Sequence, residues 1–119
     1  MKVIIFLLVR AAVAEDGARE VSDTFGPMTV AAGNIWGAQT QRSLENFAIS
    51  NDIMPLPIVK ALALAKKACV TFGKDKVGEK RAKGIADAAD EVIEGTLDAQ
   101  FPLKVWQTGS GTQSNMNVN

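Results

Sequence analysis

The stretch "PIVKALALAKKACVTFG", Pro57 to Gly73, sets the fold class. Ile58, Leu62, Ala65, Cys69 and Phe72 recur at three- and four-residue steps, which is the period of a helix with one apolar face. Lys60, Lys66 and Lys67 fall mainly off that stripe. Pro57 suits a first helical turn, and Gly73 suits the left-handed residue just past a helix end. Cys69, on the apolar stripe, is expected to be a buried structural thiol. Toward the C-terminus a second helix is predicted over about Lys80 to Glu94. It would turn Ala82, Ile85, Ala89, Val92 and Ile93 inward and stop at Gly95, with Gly84 weakening it by up to about 1 kcal/mol. Toward the N-terminus "WGAQTQRSLENF", Trp36 to Phe47, carries Leu44 and Phe47 at helical spacing and predicts a short helix. Before it, "DTFGPMTV", Asp23 to Val30, places Gly26-Pro27 between β-tolerant pieces and predicts a turn or short β-hairpin near residues 22–31. The expectation is a mainly α domain.

Bulk composition excludes several classes. At 119 residues and 47% hydrophobic content the chain is one domain's worth and is not disordered throughout. Thirteen basic and thirteen acidic residues cancel, so no global field draws it to nucleic acid. Eight of the positive charges lie between Lys60 and Lys83, without an aromatic ladder, and read as solvated helix faces. The lone Cys69 has no second cysteine for a disulfide or a metal site, and the chain has no histidine. "MKVIIFLLVR" has a basic start and an apolar run from Val3 to Val9. The run is too short to span a bilayer, and Arg10 interrupts it as a secretory core. An N-terminal extension or short strand is the preferred reading.

"DAQFPLKVW", Asp98 to Trp106, reads as a connector, because Pro102 supplies no amide donor and disfavours helical geometry in Phe101. It leads into "WQTGSGTQSNMNVN", Trp106 to Asn119. Thr108, Ser110 and Thr112 carry hydroxyls that can donate to an anion, and Gly109 and Gly111 permit close backbone approach. A helix beginning near Gln113 or Ser114 would point free amides at the same volume. The stretch is neither a phosphate loop nor a dinucleotide fingerprint, and on residue types alone a plain Ser or Thr helix cap explains it better. Asn115 and Asn119 would share one helix face, with Asn117 away from it. Three asparagines early in a helix are unfavourable, so some must bond beyond their own helix.

"GAQTQRSLENF" at Gly37–Phe47, "ADEVIEG" at Ala89–Gly95 and "FPLKVWQTGSGTQSNMNVN" at Phe101–Asn119 resemble the N-terminal portion of class II fumarate hydratase, in the fumarase/aspartase superfamily. The resemblance runs from about Asp23 to Asn119. The run Gly109–Ser114 favours the fumarase branch over the aspartate ammonia-lyases. Ala31 and Gly33 depart from the proline and acidic residue the family often carries there, and residues 1 to about 22 lie outside the resemblance.

It implies an extension over 1–22, an N-terminal helical domain over 23–105, and over 106–119 a substrate loop with the start of a central-bundle helix. It also implies reversible hydration of fumarate to L-malate without cofactor or metal. Ser110, Gly111 and Thr112 would contact substrate, with Thr108, Gln113 and Asn115 as neighbours. No catalytic residue is implied within these 119 residues, because the family's serine loop and histidine segment lie downstream. The implied parent is a homotetramer of the cytoplasm or mitochondrion, with neither nucleic acid nor membrane as partner. The chain alone is then an inactive fragment. The alternatives are an inactive truncated product acting as a dicarboxylate-binding or subunit-interaction module, and an aspartate ammonia-lyase-like relative.

Overall fold

A computed structural model describes residues 17–119; the apolar run Val3–Val9, and with it the readings of the N-terminus, lies outside the described residues. The chain forms an antiparallel hairpin of β1 (Arg19–Asp23) and β2 (Gly26–Val30). It continues through helices α1 (Ala38–Asn46), α2 (Leu56–Phe72), α3 (Lys74–Val77) and α4 (Glu79–Glu94), a 3₁₀ turn at Asp98–Gln100, and α5 (Thr112–Val118). The predicted mainly α class holds.

The hairpin turns at Thr24-Phe25, with Gly26 and Pro27 already paired in β2 opposite Asp23 and Ser22. The short hairpin predicted near residues 22–31 is present, with its turn two residues before Gly26-Pro27. The Asp23 carboxylate takes over as turn-former, accepting the Phe25 N–H at 2.9 Å, a local bond that aspartate makes readily. It also pairs with Arg42 of α1 at 2.9 Å, and Arg42 Nη2 donates to the Gly26 carbonyl. The Arg42 guanidinium holds the Asp23 carboxyl below its usual range, even though burial pushes the other way. Arg19, from the other strand, donates to the carbonyls of Asn34 and Trp36. Polar clamps and the fully buried Val30 of β2 together dock the hairpin, and α1 buries small residues: Ala38, Thr40 and Ser43.

The core lies between α2 and α4. Val59, Ala63, Ala89, Val92 and Phe101 form one buried cluster, with Ile93, Leu97 and Val118 against its edge. The buried stripe of α2 is Val59, Ala63 and Val70, one residue on from the one predicted. Ile58 and Phe72 are exposed, Phe72 by 90%, and so is the Cys69 thiol, contrary to the buried role expected of it. The reason is legible in α2: Val, Leu and Ala occupy nearly every angle around it, so two stripes compete and the α4 contact selects one. On α4, Ala82, Ala89 and Val92 are buried as predicted, whereas Ile85 is exposed by 44%.

Helix ends split the same way. α4 stops at Gly95 in the left-handed region (φ +86°), where a β-carbon would also meet Lys60 Nζ and Asp98 Oδ2 at 3.1 Å. Gly73 is not left-handed (φ −95°); the chain passes through it into α3 and reverses only at Gly78. Beyond α4 the connector runs extended past Pro102. It bridges back to residues 52–54 through Met54 N–H to the Leu103 carbonyl (2.8 Å) and Val105 N–H to the Asp52 carbonyl (3.0 Å), burying Leu103. That anchor delivers the chain to residue 106 at a fixed point beside α2.

Candidate substrate-binding loop

Residues 107–114 form a loop closed at its base by two glutamines. Gln107 Nε2 donates to the Lys104 carbonyl at 2.9 Å and to the Ser114 hydroxyl at 3.0 Å, and Gln107 Oε1 accepts the Ser114 N–H at 3.2 Å. One turn further out, Gln113 Oε1 accepts both the N–H and the hydroxyl of Thr108 at 3.0 Å. Ser114 is buried, so its polar atoms need these partners, and no buried side-chain nitrogen or oxygen among the described residues lacks one. Thr108 and Gln113, the expected neighbours of the substrate contacts, hold each other through these bonds.

The tip behaves differently. Ser110, Gly111 and Thr112 are exposed. The Ser110 oxygen accepts the Thr112 N–H at a long 3.5 Å, and neither hydroxyl donates to any described residue. Gly111 caps α5 with φ +73°, a conformation that an L side chain adopts at a cost of roughly 1–2 kcal/mol. Ser110, Gly111 and Thr112 line an open groove of about 580 Å³ together with Met54, Ile58, Leu62, Ser114 and Asn115. α5 therefore starts at Thr112, slightly earlier than predicted. Of its first-turn amides, the Ser114 N–H is engaged by Gln107 and the Thr112 N–H makes only the long contact to Ser110.

The asparagines divide as the propensity argument requires. Asn117 Nδ2 donates to the Gln100 carbonyl at 3.0 Å, and Asn115 Oδ1 accepts from Lys66 Nζ of α2 at 2.7 Å. Gln100 in turn binds the Gly33 carbonyl and the Ile35 N–H, which ties the 33–35 segment to α5. Gln107, Ser114 and Lys66 carry no signal in the sequence that marks them for this loop, and Lys66 sits among cations that read as a solvated face. Among the described residues no group of three or more His, Cys, Asp or Glu could hold a metal ion, and no helix is long and apolar enough to cross a membrane. The groove can thus offer hydroxyl and amide donors to an anion, and within the chain it has no histidine for moving protons.

The family described as Lyase matches residues 26–119. Over 103 residues, 85% of this chain, the sequence is 55% identical to a class II fumarate hydratase from Myxococcus xanthus and 56% identical to one from Brucella suis. Among solved structures it is similar to a class II fumarase from Schistosoma mansoni, with a TM-score of 0.80 and 44% identity over 85% of this chain. The match covers 22% of the length of each of these three relatives.

Proposed function

Because the chain belongs to the lyase family, we propose that it is the carboxylate-binding N-terminal part of a fumarate hydratase that interconverts fumarate and L-malate. The supporting observation is the tip of the 107–114 loop: two exposed hydroxyls that donate to no described residue, beside a groove and on a loop tied at its base by the Gln107–Ser114 and Thr108–Gln113 bonds. Removing the C3 proton of malate drives negative charge onto its carboxylates. Donors already fixed where that charge accumulates lower the barrier, since they need no reorganisation during the reaction. Ser110 and Thr112 supply such donors. The groups that move the proton and the hydroxyl come from outside these 119 residues, in a homotetramer of the cytoplasm or mitochondrion, and the isolated 119-residue polypeptide turns over no fumarate.

A second reading is favoured by one observation. Leu64 and Phe72 are exposed by 59% and 90% on the unpacked side of α2, an apolar face suited to association, so a subunit-interaction role accompanies or replaces substrate binding. The deciding experiment replaces the matching segment of the Myxococcus xanthus relative by residues 26–119 of this chain. Fumarate hydration by that chimera is expected. Assembly without hydration would reduce the segment to an interaction module, and deamination of aspartate in place of hydration would select the ammonia-lyase alternative.

A further inference from the structure

We propose that Lys66 is a positioning residue of this groove: its ammonium fixes the Asn115 carboxamide so that the amide Nδ2 faces the groove and donates to a substrate carboxylate. The inference rests on the reading of the groove as a dicarboxylate site. Lys66 and Asn115 are 49 residues apart in sequence and meet at 2.7 Å, within the range of a charge-assisted hydrogen bond. An ammonium has only donors, so the carboxamide must present its oxygen to it, and the planar amide then turns its nitrogen the other way. The ambiguity that usually attends an asparagine side chain is removed by the chemistry of its partner.

The other two asparagines of the helix make the contrast. Asn117 Nδ2 is engaged by the Gln100 carbonyl and Asn119 Nδ2 by the Met116 sulfur. Only Asn115 has its acceptor bound and its donor without a partner among the described residues. It is also the one of the three that lines the groove with Ser110, Gly111 and Thr112. Lys66 lines a separate cavity of about 600 Å³ behind it, beside Ala63, Ala89 and Phe101. Asn115 therefore stands between a fixed cation and the groove. Bonding to the cation polarises the amide and strengthens its remaining donor, and the charge behind it favours an anion in front.

The test is a double-mutant cycle in the chimera, with fumarate binding measured by calorimetry, hydration assayed in parallel and melting recorded for each variant. Lys66→Met is expected to weaken fumarate binding and raise KM about tenfold, with kcat within about threefold, as for a contact made equally in ground and transition states. Lys66→Arg, which keeps a cationic donor, should recover most of the affinity. In an Asn115→Ala background Lys66→Met should weaken binding by less than about twofold, because the group it positions is gone. Full additivity of the two changes, unchanged affinity in Lys66→Met, or failure of Lys66→Arg to rescue would overturn the proposal. If binding follows the cycle and no hydration occurs, Lys66 stands and the reaction reading falls. If hydration is normal and the cycle additive, the reverse holds. A chimera that neither binds nor hydrates fumarate overturns both.

Discussion

The base and the tip of the 107–114 loop are separated by a few residues and obey opposite rules. At the base the glutamines are tied into the loop, Gln107 to Ser114 and Lys104, and the Gln113 carboxamide oxygen to Thr108. At the tip neither the Ser110 nor the Thr112 hydroxyl donates to any described residue. The difference teaches where the loop is fixed: the bonds gather at the base and leave the tip's donors free for the proposed carboxylate contact. Preorganised donors act in catalysis because they are already placed when charge develops.

The comparison can be broken most directly at the tip. In the chimera, Ser110→Ala with Thr112→Val is expected to lower kcat/KM for fumarate by about 10²–10³-fold while melting stays within about 2 °C, and an equal loss of stability would erase the distinction between tip and base. At the base the expected effect is on folding. Gln107→Leu strands the buried amide and hydroxyl of Ser114 and should cost about 1–3 kcal/mol in denaturant unfolding of the chimera. Between the two lies Gly111, where no atom lies within 4 Å of an added β-carbon but φ is +73°. Gly111→Ala should cost about 1 kcal/mol in the same measurement, from backbone strain alone.

The smallest effect is expected far from the loop, at Asp23. Its folded pKa is depressed by Arg42 below its ordinary value of 3.8, so the pair stabilises the fold above that value, and the contribution is lost as pH falls through the folded pKa. Asp23→Asn should therefore flatten the acid limb of melting temperature against pH and leave fumarate kinetics at neutral pH unchanged.

Much of the fold is legible wherever one signal has no rival. α4 carries a single apolar stripe closed by a glycine, and both its span and its stop are as predicted. Pro102 keeps the connector from being helical. Where two local solutions are equally good, tertiary contact chooses. α2 is apolar on two faces, so the α4 interface picks Val59, Ala63 and Val70 over Ile58, Leu62 and Ala65, and the exposed thiol of Cys69 follows from that rotation. Gly73 and Gly78 both could end a helix, and only the second has positive φ. Gly26-Pro27 resembled a turn, but the capping carboxylate of Asp23 moves the turn back to Thr24-Phe25. In the site, the hydroxyl run announces itself through residue type, whereas the partners of Gln107 and Lys66 depend on where the connector and α2 place the backbone. Lys66 in particular reads as one more solvated cation until α5 is packed beside it.

The most direct test of the central claim is a crystal structure of the chimera with L-malate bound. A carboxylate is expected with oxygens within about 3 Å of both the Ser110 and Thr112 hydroxyls, with the Gln107–Ser114 and Thr108–Gln113 bonds unchanged from the ligand-free protein. Malate bound elsewhere in a catalytically active chimera, with the loop tip unoccupied, would contradict it.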